Sequence, residues 1–274
     1  AQSLAEGTTG WWYDLVKLAA DQARGSFYSD PGLLDELARL HELHQRHAGP
    51  GSPAQIALLI DEEAKDVLDL RGRVFLDEVY EQLPAWMWCG APIDILLVSD
   101  ATGDRIKPYR LSYVFAPYLS AERRTQLADA LCRDGRHVWW SADAGHLTDH
   151  GADDAAFAEL TGFERPIHQP GPPEMLERDG WRSWCGPCAG LDAVQIAGLA
   201  RAAGVHLYAD PPVHVMARDG LVAMHVRDGG GYSLAFPGRD RRWRDLLTGR
   251  AVVDDVFEFE EHGVAIFVGN DERR

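Results

Sequence analysis

The chain has 274 residues, enough for two domains, and its 46% hydrophobic and 26% charged residues suit a protein that buries a sizeable core. The net charge of -16 disfavours nucleic acid and anionic membrane surfaces as partners, and it leaves neutral substrates open. No apolar run approaches the ~20 residues that would span a bilayer. The N-terminus, AQSLAEGTTG, has neither a signal-peptide pattern nor an initiating Met, so we expect a piece of a longer protein. Its cellular location stays open, with a slight preference for the cytoplasm.

The first fifty residues contain a short apolar run and one amphipathic helix. GWWYDL at 10–15 is typical of a short strand. In the stretch at 29–49, Asp30 can cap a helix and Pro31 suits its first position. Its apolar face is formed by Leu33, Leu37 and Leu40. AGPGSP at 48–53 then predicts a linker.

Three histidines recur at every third position of this predicted helix: His41, His44 and His47. Residues three apart can share a helix face and could bind a metal. A solvated helix flank explains the spacing equally simply, and we favour it. No metal site is predicted.

Apolar runs alternate with helical patterns between residues 55 and 204. The predicted strands are QIALLID (55–61), PIDILLVSD (92–100), RLSYVFAPYLS (110–120) and RHVWWSA (136–142). The predicted helices are 71–83, 121–135 with Ser120 as cap, 153–162 and 191–204. This alternation predicts an α/β fold, a parallel sheet with helices on both faces.

From about residue 206 the hydrophobic period changes to two. Asp219-Gly220 stands between two alternating runs in VHVMARDGLVAMHVRD, which predicts a β-hairpin. Three further strand-like runs follow, each bounded by turn residues: 232–238, 243–249 and 255–269. The chain is therefore expected to end in a small all-β domain.

The stretch Trp184-Cys185-Gly186-Pro187-Cys188 has the letters of the thioredoxin active site. A thioredoxin needs a buried strand leading into the motif, and later a strand ending before a cis-proline. The lead-in at 168–183, HQPGPPEMLERDGWRS, is polar and proline-rich, so we expect no strand there. A redox pair Cys185/Cys188 is therefore disfavoured against a structural or adventitious pair in a loop.

The remaining cysteines, Cys89 and Cys132, are expected to be buried free thiols. A tetrahedral zinc site needs four ligands, and no second Cys or His pair stands at a suitable spacing. We predict no cofactor.

Nine tryptophans occur, several of them in clusters: Trp11-Trp12, Trp86 and Trp88, Trp139-Trp140, Trp181 and Trp184. Indole faces can stack on sugars or fill a core. The core is the better interpretation for any single one, and carbohydrate binding through the clusters remains an alternative function.

The stretch GRHVWWSADAGHLTD at 135–149 invites comparison with class I glutamine amidotransferases, in which a strand enters a tight elbow carrying a nucleophilic Cys. Here the elbow falls at Ser141, Ala142 and Asp143, and it holds no Cys. Ser141 with His146 could be argued as a hydrolase pair, but the G-x-S-x-G pattern is absent. A degenerate nucleophile elbow is therefore predicted.

Residues 55–165 resemble the class I glutamine amidotransferase-like trimerisation domain of glycoside hydrolase family 42 β-galactosidases. The resemblance rests on QIALLIDEEA, on the run from Tyr113 to Gly145 and on DDAAFAELTGFE. The stretch AGVH and the run DLLTG are similar to the small C-terminal β domain of that family. The resemblance implies a flavodoxin-like α/β domain, a small all-β sandwich, a homo-oligomer (a trimer) and a galactoside or related neutral sugar in the parent enzyme.

In this family a (β/α)8 barrel comes first, and GWWYDL with the following helix is similar to its last strand and helix. The resemblance thus divides the chain into a barrel remnant at 1–50, the α/β domain at 51–205 and the β domain at 206–274. It places Trp11, Trp12 and Asp14 near the sugar pocket. Members retain configuration with two carboxyl groups about 5 Å apart on earlier barrel strands. No catalytic residue can be carried over, so this chain alone is expected to be inactive, a non-catalytic region for oligomer assembly and pocket shaping.

Overall fold

The structure, a computed structural model, describes residues 31–47, 53–64, 74–237 and 241–271. Its α-helices are α1 (Pro31–His47), α2 (Leu83–Met87), α3 (Gly103–Ile106), α4 (Ala121–Leu131), α5 (Asp154–Thr161) and α6 (Ala193–Ala202). The predicted helix at 71–83 is in part a π-helical segment, Leu76–Glu81. In the described ranges, no helix is long and apolar enough to cross a membrane. GWWYDL, with Trp11, Trp12 and Asp14, lies outside the described residues.

The predicted parallel sheet is confirmed. Its strands are β1 (Ile56–Ile60), β2 (Ile93–Leu97), β3 (Leu111–Phe115), β4 (His137–Trp140), β7 (Glu174–Arg178) and β8 (Trp181–Cys185). They form a six-stranded sheet in the order β2-β1-β3-β4-β8-β7. All neighbouring pairs are parallel except β7 with β8, and a small hairpin of β5 (Leu147–Thr148) and β6 (Gly151–Ala152) follows β4.

Helices cover both faces of this sheet. Leu59 of β1 enters an apolar cluster with Leu127 and Leu131 of α4. Its neighbour Leu58 points to the opposite face, because side chains alternate along a strand, and enters a cluster with Ile196 of α6. Two separate apolar layers therefore hold the helices to the sheet.

Helix boundaries follow from side-chain caps. The Ser120 hydroxyl accepts a hydrogen bond from the Arg123 N–H at 3.3 Å, as predicted, and Asp153 caps α5 through the Ala156 N–H at 2.9 Å. Asp192 and Gln195 form a reciprocal capping box at the start of α6. These caps satisfy N–H groups that the first helical turn leaves unpaired.

The expectation that no strand precedes Cys185 was wrong. β7 and β8 form an antiparallel hairpin around Asp179-Gly180, with Arg178 opposite Trp181. Gly180 has φ +76, a backbone conformation that side chains disfavour and that tight hairpin turns require. β8 runs parallel to β4 and ends at Cys185 itself.

The C-terminal part contains the predicted β-structure. Its strands are β9 (Ala209–Asp210), β10 (His214–Arg218), β11 (Leu221–His225), β12 (Gly230–Leu234), β13 (Arg241–Asp245), β14 (Val256–Phe259) and β15 (Val264–Asp271). They form two antiparallel sheets, β10-β11-β15-β13 and β14-β12-β9. One apolar cluster takes residues from both sheets, including Val222 and Phe267 from the first and Tyr232 and Phe257 from the second.

The two parts of the chain meet at the loop that follows α2. The Trp88 ring lies 5.1 Å from the ring of His225 and 5.9 Å from that of His214, and the Arg227 guanidinium lies 4.2 Å above it. The Gly90 N–H donates to the Val213 carbonyl at 3.0 Å, and the Gly90 carbonyl accepts from the Tyr208 N–H at 2.8 Å. This contact joins the loop after α2 to β10 and β11.

Candidate functional site

An open cleft lies at the carboxyl ends of β3, β4 and β8, and we call it the elbow cleft. Its volume is about 260 Å³. Its polar lining residues are Asp77, Glu78, Ser141, Asp143 and His168, and its apolar ones include Phe115, Pro117, Pro170 and Pro187. Ligands of open α/β sheets bind at the carboxyl ends of the strands. The structure thus brings together the predicted elbow and Pro187 of the WCGPC stretch.

A buried hydrogen-bonded group supports one wall of the cleft. The Tyr113 hydroxyl donates to Glu78 Oε2 at 2.6 Å, and the Cys188 N–H donates to the same oxygen at 2.9 Å. The Cys188 thiol donates to the Glu78 carbonyl at 3.2 Å. Burial raises the pKa of Tyr113 and of Cys188 well above their ordinary values. These bonds fix the π-helical segment against β3 and the loop after β8.

The two thiols of the WCGPC stretch differ from redox thiols in their burial and in their pKa. Cys185 and Cys188 are free and fully buried. Burial raises the pKa of Cys185 to about 12, whereas reactive thiols have a depressed pKa. The next helix, α6, begins only at Ala193, so its dipole is not directed at the motif. The Asp210–Pro211 bond after β9 is cis, but β9 pairs with β12 in another sheet.

The residues of the predicted elbow, Ser141, Ala142 and Asp143, directly follow β4. Ser141, Ala142 and Asp143 are not among the described non-glycine residues with positive φ. The β5–β6 hairpin separates them from α5, so no helix starts at the elbow. The His146 imidazole is hydrogen-bonded to Asp154 at 3.0 Å, and His168 lies 3.3 Å from Asp143. Neither contact provides a base for the Ser141 hydroxyl.

A second charged group, which the sequence analysis missed, lies at the carboxyl end of β1. The Arg123 guanidinium lies 3.6 Å from Asp61, 3.1 Å from Glu62 and 3.2 Å from Glu63. Burial raises the pKa of Asp61 to about 6. Its Oδ2 is buried without a hydrogen-bond partner in the described chain. The position of this acidic run directly after the buried strand QIALLI could have indicated it.

Within the described ranges, no group of three or more His, Cys, Asp or Glu residues could hold a metal ion. His41, His44 and His47 lie on α1, and the structure describes only the backbone of His44 and His47.

The tryptophan clusters of the described residues lie mainly in the core. The buried tryptophans are Trp86, Trp139, Trp140, Trp181, Trp184 and Trp243. Trp88 is half-buried, and Arg227 covers its face. Indoles need an open face to stack on a sugar, so these clusters do not offer a carbohydrate platform. Trp11 and Trp12 lie outside the described residues.

The fold is similar to part of the glycoside hydrolase family 42 enzymes of known structure. A catalytic mutant of the β-galactosidase from G. stearothermophilus matches with a TM-score of 0.58 and 12% identity, over 88% of this chain and 44% of that one. The β-galactosidase of the haloarchaeon Halorubrum lacusprofundi matches with a TM-score of 0.56 and 13% identity, over 85% and 43%. A family 42 exo-carrageenase from Bacteroides ovatus matches with 0.53 and 10%, over 91% and 34%.

The resemblance to family 42 β-galactosidases is therefore confirmed in the fold, and the chain spans less than half of each of these structures. No family model matches the sequence, and no curated protein does.

Proposed function

We propose that the chain is the non-catalytic C-terminal region of a β-galactosidase-like retaining glycoside hydrolase of carbohydrate metabolism, where it serves oligomer assembly and shapes the sugar pocket. The similarity in fold to family 42 β-galactosidases, over most of this chain and less than half of theirs, carries the proposal. In this arrangement residues 1–50 end the barrel, with Trp11, Trp12 and Asp14 near a galactoside or related sugar.

In this proposal residues 51–205 form a flavodoxin-like, amidotransferase-like domain. The strand order β2-β1-β3-β4-β8 supports it, because β1 and β3 lie side by side at the point where the order reverses. Residues 206–274 form a β-sandwich, which the core shared by its two antiparallel sheets supports.

The elbow cleft takes no part in hydrolysis in this proposal. A nucleophile must be hydrogen-bonded to an activating base. The two histidines closest in sequence or space to the elbow contact Asp154 and Asp143 instead of Ser141. We therefore interpret Ser141, Ala142 and Asp143 as a degenerate elbow.

Two measurements on the pure chain test the proposal. No turnover of p-nitrophenyl β-D-galactoside is expected, because acetal hydrolysis needs two carboxyl groups held in register. Detectable turnover that co-purifies with the chain would overturn the non-catalytic role. Multi-angle light scattering should give a trimer, and a monomer at all concentrations would overturn the role in assembly.

Calorimetric titration with galactose and oligosaccharides separates this function from carbohydrate binding. A structural module should give no heat, consistent with the burial of the described tryptophans. Saturable binding would instead favour the carbohydrate-binding alternative.

A further inference from the structure

We propose that the elbow cleft binds a small organic ammonium ion, independently of any role in a glycoside hydrolase. The cleft lies where open α/β sheets bind ligands, at the carboxyl ends of β3, β4 and β8. Its volume of about 260 Å³ suits a small molecule.

The charge of the lining determines the class of ligand. Asp77, Glu78 and Asp143 bring carboxylates to the cleft, and the described lining contains no Lys or Arg. An anionic ligand would be repelled, whereas a cation would gain from every one of these groups. The imidazole of His168 lies 3.3 Å from Asp143 on the exposed rim, and the Asp143 side chain itself remains 34% exposed.

The hydroxyl of Ser141 is a second, independent observation. Ser141 lines the cleft although only 3% of its surface is exposed. Within the described ranges its hydroxyl makes no hydrogen bond, while its backbone N–H and carbonyl are bonded to Val114 and Ala144. A nearly buried hydroxyl is stabilised by a hydrogen-bond partner, and a polar group of a ligand in the cleft would supply one.

Hydrogen bonding then distinguishes an amine from an alcohol. Carboxylates accept only, and a hydroxyl beside them can also accept. An ammonium group offers three donors and a positive charge, whereas an alcohol offers one donor and no charge. The polar lining therefore matches an ammonium group best.

The remaining walls suit a short hydrocarbon chain. Val74, Pro117, Pro170 and Pro187 provide apolar surface, and Phe115 is almost fully buried behind them. No Trp or Tyr face lines the described cleft, so the stacking surface typical of sugar sites is missing.

The test uses the full chain and four probes at equal ionic strength: n-butylammonium chloride, n-butanol, sodium butyrate and D-galactose. Isothermal titration should show saturable binding of n-butylammonium alone. Asp143→Asn should weaken it about tenfold and Ser141→Ala about threefold, because each removes one hydrogen-bond acceptor. Asp104→Asn makes the same charge change at an exposed site in α3, outside the cleft, and should leave the affinity unchanged.

Three results would overturn the proposal. The first is no saturable binding of n-butylammonium up to about 50 mM, a concentration range in which binding with a millimolar Kd is detectable. The second is equally strong binding of n-butanol, butyrate or galactose. The third is wild-type affinity in both Asp143→Asn and Ser141→Ala. Ser141→Ala removes a single oxygen atom and should fold. Its affinity for n-butylammonium therefore still tests the proposal if Asp143→Asn fails to fold.

Discussion

Cys185 and Cys188 belong to different apolar clusters, although only two residues separate them. Cys185 packs with Phe157 and Phe163, whereas Cys188 packs with Trp86 and Leu191. The active-site sequence of thioredoxins is therefore present here with both cysteine thiols buried. Each thiol faces a different part of the core.

From this we predict that the chain has no thiol-disulfide exchange activity. It should not accelerate insulin reduction by dithiothreitol, and Cys185→Ser should match the wild type, because burial disfavours both thiolates. In the native state Ellman's reagent should label Cys185 and Cys188 slowly, and urea should expose them. Faster insulin reduction by the wild type than by Cys185→Ser would contradict this.

Replacing Asp61 should stabilise the chain at neutral pH. Its folded pKa of about 6 lies above the ordinary 3.8, so the folded state retains the proton and loses stability as pH rises from about 4 to 6. Asp61→Asn should therefore raise the free energy of unfolding at pH 7.5 by up to about 3 kcal/mol, with little difference near pH 4. Urea unfolding followed by circular dichroism measures this. Asp104→Asn is the control, and a larger gain at pH 4 than at pH 7.5 would refute the mechanism.

The contact around Trp88 should be sensitive to acid. Burial, followed by the neighbouring His225, lowers the pKa of His214, and the Arg227 cation lies over the same indole. The unfolded imidazole takes up its proton near pH 6.5, whereas the folded one does so only at lower pH. Stability from this site is thus complete above about pH 6.5 and is lost as pH falls below it.

His214→Gln should therefore lose less stability between pH 7.5 and pH 5 than the wild type. His150→Gln, at an exposed imidazole in the β5–β6 turn, is the matched control. Unfolding in urea at both pH values gives the comparison, and an equal loss in wild type and His214→Gln would exclude this histidine as the cause.

The indole N–H of Trp139 should contribute measurably to stability. It donates to the Gly186 carbonyl at 2.9 Å from a fully buried ring. Trp184 is a close control, because its ring is also buried and its indole nitrogen has no partner among the described residues. Trp139→Phe should cost roughly 2–4 kcal/mol of unfolding free energy and Trp184→Phe about 1–2 kcal/mol. Equal costs would remove the hydrogen bond as the explanation.

Local patterns predicted many elements correctly. Ser120 and the leucines of α4 correctly predicted that helix, and Asp219-Gly220 correctly predicted the β10–β11 hairpin. The same dipeptide at Asp179-Gly180 does not by itself indicate a hairpin, because the prolines before it and the exposed residues of β7 mask the alternation of a strand. Hydrophobic periodicity cannot reveal an edge strand that buries no side chain.

The elbow cleft could be predicted only in part. Ser141, Ala142 and Asp143 were placed by their position after a strand. Glu78 and His168 join them from segments far away in the sequence. Their convergence depends on how the π-helical segment and the loop before β7 fold over the sheet, which local pattern does not contain.

The backbone of Gly90 has a practical consequence for anyone who divides this chain. Cutting after residue 205 would remove both Val213 and Tyr208, the two hydrogen-bond partners of its peptide groups. It would also uncover the Trp88 indole, which His225 and Arg227 now shield. A truncated α/β fragment would expose an aromatic loop that promotes aggregation. We therefore expect better soluble expression when the β domain is retained.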